Sequence, residues 1–448
     1  MVQVRVVNIT RVSPSPATAT SREPIRLSFL DNIWITLPPV QRLFLYHTDR
    51  PLPFVAQELR ASLSRILPRF RSLAGTFAHA PDSGDVVISF SGDGHDGVDV
   101  REAEAEGADF HRLAEDDDHD IEAFLSLVPP LDVGKHPMPV FSVQITGFAG
   151  AGVAVGLSVH HMAADGKALW LFVDAWAAEC RQGANVGCGG GVEPVLDRSV
   201  IKFPGAEELG PSSGWTLPAV LDPPKTSNVG AQSPTRHQLS RRNFVVSAAS
   251  IAALRDRGAS GAARPSAFVA LTAHAWLTFL KAKGIPPDDH SAPLCFLADC
   301  RRHLDPPVGD EYFGNCVRPC IVQAKAKDLL GGGEVRFKAA CAAMRKAIDD
   351  CLRAPLGDCG SWFETLMGLP TERLMNISAS PRFRVYDHAD FGWGRPRRVE
   401  LVSMNKGREV ALVAARDEEG GVQATVALSP LYMDSFASLF LDGLKQQT

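Results

Sequence analysis

Residues 154–181 read AVGLSVHHMAADGKALWLFVDAWAAECR. The segment opens as an apolar run in which Val153, Val155, Leu157 and Val159 alternate with small residues, the spacing of a β-strand. After His160 comes a short HMAADG turn, and then Leu169, Phe172, Val173 and Trp176 fall on one face of a helix. A strand that turns directly into a helix is an α/β unit, and strand ends are where such folds usually place reactive groups. His161 and Asp165 lie in that turn, separated by three residues.

An imidazole titrates near neutrality, so His161 suits proton abstraction, with a hydrogen-bonded core histidine as the plain structural alternative. The H-x-x-x-D spacing alone is a weak pattern, and the chain supplies its own control in His95 and Asp99. That second copy sits in a Gly- and Asp-rich stretch with no apolar strand before it, so it reads as chance. Pro137 to His160 contains no charged residue and approaches the length of a bilayer span. Its alternation and the GFAGAG turn at 147–152 identify it instead as two adjacent strands, and no membrane partner is expected.

The chain has 448 residues, too many for one ordinary core, and two domains of similar size are expected. Hydrophobic residues make up 45% and charged residues 22%, the balance of a globular protein. A formal net charge of -5 without a Lys or Arg run excludes the electrostatic footprint of a nucleic-acid binder. The opening MVQVRVVNIT lacks a signal-peptide core, and nine cysteines fall between Cys180 and Cys359 without paired spacing. Both features fit thiols in a reducing compartment, and the expected location is cytoplasmic.

Composition also marks the boundary. QGANVGCGGG at 182–191 is followed by a Pro-, Gly- and Ser-rich stretch from Glu193 to Arg236, which predicts a first domain over 1–181, a crossover segment over 182–236 and a second domain over 237–448. Strands are expected at Val2–Val7, Leu294–Ala298, Val317–Val322, Val399–Ser403, Val410–Ala414 and Val422–Leu428. Helices are expected over Pro53–Ile66 and Arg264–Gly284. The acidic run Glu115 to Asp120 reads as a solvated edge.

Several further stretches occur in fixed order: LSFLDNIWITLPPVQRLFLY at 27–46, HHMAADGK at 160–167, DRSVI at 197–201 and ADCRRHLDPP at 298–307. EYFGNC at 311–316, ISASPRFRVYDHADFGWGRPRRVE at 377–400 and a C-terminal LSPLYMDSFASLF complete the set. Together they resemble the plant BAHD acyltransferases over essentially the whole chain, and YFGNC points to the branch that acylates flavonoid and phenolic glucosides. The resemblance implies an α/β fold of two chloramphenicol-acetyltransferase-like domains joined by a long crossover loop, with the active-site channel at their interface. It implies acyl-CoA, malonyl-CoA or an aromatic acyl-CoA, as co-substrate with no permanently bound cofactor, a small-molecule hydroxyl acceptor as the other partner, and a monomer.

By the same resemblance His161 is the general base, and Asp165 supports it by pairing with Arg301 of the Asp299, Cys300, Arg301 stretch. Ser378 or Ser380 would donate to the oxyanion. Asp390, Phe391, Gly392, Trp393 and Gly394 would shape the CoA region indirectly, with Trp393 architectural. Trp34 and Thr36 would either line the acceptor side or serve as ordinary core residues, and Lys167, at a helix start, would either meet an anion or stay solvated. The chain departs from the family pattern in His303 where a second arginine is common, in a YDHADFGWG one residue longer than usual, and in the wording HHMAADG.

Rival readings attach to the same residues. A metal held by His160, His161 and Asp165 is disfavoured because adjacent residues at a strand end face opposite sides, so no metal is expected. A cysteine nucleophile lacks an evident histidine partner, and Cys316 reads as packing. Transfer of a hydroxycinnamoyl group to a non-glycosidic alcohol or an amine, and a catalytically silent small-molecule binder, complete the alternatives. A malonyl carboxylate calls for a cation and an aromatic acyl chain for an apolar slot, and one sequence does not choose between them.

Overall fold

The computed structural model describes residues 3–15, 21–35, 37–80, 85–91, 96–133, 137–183, 192–202, 236–261, 263–333 and 335–445. The apolar stretch before His160 forms the hairpin β8 (Phe141–Phe148) and β9 (Gly152–Val159), paired antiparallel throughout. Gly152 is required there: a Cβ would lie 2.3 Å from the Tyr46 carbonyl oxygen and 2.5 Å from the Phe110 ring.

The hairpin is the middle of a six-stranded sheet ordered β1 (Gln3–Val12), β6 (Val98–Glu106), β8, β9, β3 (Val40–Tyr46) and β14 (Arg398–Leu401). The last strand comes from the C-terminal half of the chain and pairs antiparallel with β3, Arg398 opposite Leu45 and Leu401 opposite Arg42. A second six-stranded sheet runs β10 (Ser240–Val246), β16 (Val422–Leu428), β15 (Arg408–Ala414), β13 (Met375–Ser378), β11 (Leu294–Asp299) and β12 (Val317–Val322). A small sheet of four short strands, β2 (Ile25–Arg26), β5 (Val86–Ser89), β4 (Thr76–His79) and β7 (Met138–Pro139), flanks the first.

Each large sheet has its own core. Helices α2 (Leu52–Ile66) and α3 (Gly166–Gln182) pack Leu59, Leu63, Phe172 and Trp176 against Phe44 and Phe141 of the first sheet. Trp176 is fully buried and gives its indole N–H to Ser62 at 3.0 Å, so its truncation to Ala would cost roughly 3–5 kcal/mol. Helices α4 (Ala267–Ala282) and α5 (Pro430–Lys445) do the same for the second sheet with Trp276, Phe279, Phe436 and Phe440. The first core also takes in Phe313, Tyr386, Val399 and Val413 from the C-terminal half.

The acidic run is a solvated edge as expected, with Glu115 to Asp118 exposed, and it does one thing more. Its backbone docks beside β10: His119 N–H donates to the Arg241 carbonyl at 2.9 Å, and Asn243 N–H donates to that of Asp117 at 2.9 Å. Behind it Glu400 is buried and accepts from Arg398 Nε at 2.8 Å and Asn243 Nδ2 at 2.6 Å, with His119 Nε2 at 3.4 Å. Charge composition is blind to such backbone pairing, so the docking is an addition to the wet edge that the sequence shows. The segment 182–236 is described only over 182–183, 192–202 and 236.

Candidate active site

The turn after β9 aims its two histidines in different directions. His160 is fully buried, accepts the Met162 N–H on Nδ1 at 3.2 Å and sets its ring against Phe77 at 4.9 Å. Burial, with a smaller contribution from His161, holds its pKa down to about 4. His161 is only partly covered, and its ring stacks on Trp34 at 4.2 Å with an interplanar angle of 17°. Its Nδ1 is walled in with no hydrogen-bond partner, which leaves Nε2 as the nitrogen facing accessible space. Burial pushes the His161 pKa below the ordinary 6.5, against the opposing pull of Asp165 and Asp31. A neutral imidazole with an open Nε2 is a proton acceptor at physiological pH.

Asp165 has no part in that opening. It caps α3 by accepting the Ala168 N–H at 2.9 Å, and accepts the Cys316 N–H at 2.9 Å on its other oxygen. Arg301 grips it with two nitrogens at 2.9 and 3.0 Å, and spends further donors on Asp299 at 3.1 Å and the carbonyls of Tyr312 at 3.2 Å and Gly314 at 3.3 Å. Both Arg301 and Asp165 are buried, and the guanidinium fork together with the two backbone N–H groups satisfies the Asp165 oxygens, while Arg301 Nε has no acceptor. The helix start, the base-bearing turn and the strand end of the second sheet are thereby fixed to one another.

A second buried hub, absent from the residue-level reading of the sequence, holds the turn from the other side. Asp31, in the short helix α1 (Phe29–Asn32), is fully buried and forms a capping box with Ser28, whose N–H and hydroxyl donate at 2.9 and 2.8 Å. Its second oxygen accepts Asn315 N–H at 3.0 Å, Asn315 Nδ2 at 2.9 Å and Arg198 at 3.4 Å. Asn315 Nδ2 also donates to the His161 carbonyl at 2.9 Å, and Arg198 donates to the Ala163 carbonyl at 2.8 Å. Gly314 makes room for this arrangement: a Cβ there would fall 1.4 Å from the Arg198 guanidinium. Asp31, Arg198 and Asn315 each lie in a stretch singled out above, but separate motifs carry no sign that they meet.

The remaining residues named from the sequence distribute around this centre. Ser378 ends β13, and Ala379 follows with a left-handed φ of 62°. Ser380 accepts the Phe383 N–H on its carbonyl at 2.9 Å and the Arg382 N–H on its hydroxyl at 3.3 Å. The Phe383 ring closes on Gly166, 3.4 Å from where a Cβ would be, so this turn abuts the start of α3. Asp390 folds the DFGWG turn by accepting N–H groups of Gly392 and Gly394 at 2.8 and 3.1 Å, both glycines having positive φ. Phe391 and Trp393 pack on Tyr46, and Trp393 donates to Glu58 at 3.2 Å. Lys167 is part-exposed and pairs with Asp310 at 2.6 Å and Asp299 at 3.3 Å. Thr36 and His95 lie outside the described residues.

His160, His161 and Asp165 diverge and make no convergent ligand set. Among the described residues the side chains whose ligand atoms gather within 4.8 Å are the exposed His47, His111 and Glu115, away from this turn.

A family model described as the Transferase family matches residues 2–442. Phenolic glucoside malonyltransferase 2 of Arabidopsis thaliana is 31% identical, with 98% of this chain and 99% of that protein aligned. Agmatine coumaroyltransferase of the same plant is 30% identical over 98% of each chain. Among solved structures, the crystal structure of vinorine synthase superposes with a TM-score of 0.73 at 20% identity over 98% of both chains, a likeness of fold.

Proposed function

The chain belongs to the Transferase family, the BAHD acyltransferases, and is an acyl-CoA-dependent acyltransferase; from that premise we propose that His161 drives transfer of a malonyl or aromatic acyl group to a hydroxyl of a phenolic or flavonoid glucoside. The observation that carries this reading is the His161 ring itself, stacked on Trp34, neutral through burial and open only at Nε2.

In this scheme Nε2 removes the hydroxyl proton as the oxygen attacks the thioester carbonyl. The tetrahedral intermediate collapses with cleavage of the C–S bond, and the imidazolium returns the proton to the departing CoA sulfur. Acceptor and donor meet directly, and no acyl-enzyme forms. Ser380, whose hydroxyl accepts from Arg382 and so keeps its own proton to give, is a donor for the oxyanion, with Ser378 beside it. Asp165 and Arg301 are positioning residues, and Trp34 walls the acceptor side. Asp390 to Gly394 act at a distance, by holding the wall of the CoA region. The two domains are taken as 1–181 and 237–448, with 182–236 crossing between them and each protein copy working as a monomer in the cytoplasm.

The alternative is hydroxycinnamoyl transfer to a free alcohol or an amine, and the likeness to a coumaroyltransferase favours keeping it. Release of free CoA from malonyl-CoA, acetyl-CoA and coumaroyl-CoA, each with a panel of glucosides and with agmatine, separates the two readings. Replacement of His161 by Ala lowers turnover by about 10²–10⁴-fold if the imidazole is the base; equal turnover by wild type and this variant would reject the mechanism.

A further inference from the structure

Burial and pairing disagree at one cation of the first sheet. Arg42 lies in β3 and is 5% exposed, yet its Nε is buried without an acceptor and no described residue gives its guanidinium a hydrogen bond or ion pair. The guanidinium sits over the ring of Trp170 in α3, 5.4 Å from its centroid, and the indole Nε1 of Trp170 is likewise buried with no acceptor. Buried Nε and indole N–H groups without an acceptor occur elsewhere in the chain, but of the buried arginines among the described residues Arg198, Arg236, Arg241, Arg301, Arg318 and Arg398 all donate hydrogen bonds from their guanidinium and Arg42 donates none, so an acceptor is missing here. The carboxylate whose charge acts on it is that of Glu400, which Arg398 and Asn243 already hold.

The position of this pair ties it to the reaction. Val40, one step along the same face of β3 as Arg42, is paired with Val159, two residues before His161. Trp170 packs on Phe383 at 6.5 Å, the ring that closes on Gly166 at the other end of the HMAADG turn. The unpartnered donors thus flank the base-bearing turn on the side where Phe383 joins it to the Ser378 to Ser380 turn.

We propose that Arg42, with the indole N–H of Trp170, is the subsite for a carboxylate on the donor acyl group, so that the enzyme selects an acyl-CoA with a terminal carboxylate such as malonyl-CoA. This rests on the acyltransferase reading and narrows its donor. A planar guanidinium stacked on an aromatic face presents a fixed fork to such a group, and the cation would otherwise stand buried and uncompensated. An aromatic acyl chain supplies no acceptor for either donor.

The test measures kcat/KM for malonyl-CoA and acetyl-CoA in wild type, Arg42→Met and Arg42→Lys, with an accepted phenolic glucoside. Both donors carry the same CoA and differ only in the carboxylate. Arg42→Met is expected to lower kcat/KM for malonyl-CoA about 100-fold while acetyl-CoA changes by less than about threefold, with part of the malonyl rate restored in Arg42→Lys. The methyl ester of malonyl-CoA, tested on wild type so that folding of a variant is not in question, is expected to behave like acetyl-CoA. Equal losses for both donors would mean that Arg42 serves the fold or a CoA phosphate, and would overturn the proposal, as would an unchanged malonyl rate. A wild type that turns over coumaroyl-CoA well above malonyl-CoA would sink the subsite yet leave the acyltransferase reading intact, whereas CoA release from no donor would defeat that reading itself.

Discussion

Replacing Asp31 by Asn changes one carboxylate oxygen to an amide NH2 and removes a charge, with almost no change of shape. Five donors converge on the native carboxylate, two from Ser28, two from Asn315 and one from Arg198. An amide can keep its oxygen toward Asn315 and Arg198 and let the Ser28 hydroxyl turn to accept, but the Ser28 N–H then faces another donor. Damage to the capping box costs about 1 kcal/mol, and a buried Arg198 without its counter-charge adds roughly 2–4 kcal/mol. Folding survives a loss of that size in a domain stable by about 5–15 kcal/mol. The groups that hold the carbonyls of His161 and Ala163 are the ones released, and a shift of ~1 Å in a reacting group costs on the order of 10²-fold in rate. The expected outcome is therefore a kcat lower by about 10–100-fold with KM for acyl-CoA little changed. A second readout separates positioning from general weakening: Asp31 raises the His161 pKa, so its neutralisation must move the acid limb of kcat/KM to lower pH. Stopped assays of thiol release across pH 4.5 to 8, alongside thermal unfolding, give all three quantities. A variant that loses stability but keeps wild-type kcat and an unmoved acid limb would refute a role for Asp31 in holding the base.

Arg301→Met leaves Asp165 charged, buried and short of two of its donors, and should cost about 3–5 kcal/mol in urea unfolding; pairing it with Asp165→Asn should recover part of that loss, and strict additivity would contradict a direct pair. In wild type the acid limb of kcat/KM should fall below pH 6.5, because burial lowers the His161 pKa and keeps the base form to lower pH; a limb above 6.5 would assign the titration to another group. His119, His160 and His274 are buried and neutral, each with its pKa lowered from 6.5 to about 4. Their stabilising contribution is present above pH 6.5 and is lost as pH falls from 6.5 toward 4, up to about 3 kcal/mol each, so Tm should drop steeply across that window.

Much of this was written locally. Strands β12 and β16 span the expected Val317–Val322 and Val422–Leu428, and the long apolar helix predicted over Arg264–Gly284 is α4, Ala267–Ala282, because period and flanking residues are local properties. The HMAADG turn was legible for the same reason, as the join between two periodicities. The Asp31 hub was not, since its partners lie 284 and 167 positions away and nothing in LDNIW announces DRSVI or FGNC as its complement. Arg42 was equally silent: an arginine in an apolar strand reads as an interruption until its surroundings prove to hold no acceptor. The crossing of β14 into the first sheet also escapes local reading, because RVEL has the pattern of a strand and no mark of which sheet it joins.

That crossing bears on how the protein is made. During vectorial synthesis the outer edge of β3 is complete once residue 46 has left the ribosome, but its partner emerges only after residue 401. At ~5–20 residues per second the nascent first half must wait tens of seconds with a bare, apolar strand edge, the kind of surface that invites pairing with a neighbouring chain. Chaperone capture of nascent chains halted before residue 398, relieved when translation proceeds past 401, is the expected biogenesis of this fold, and the N-terminal half expressed alone should aggregate unless the RVEL segment is supplied.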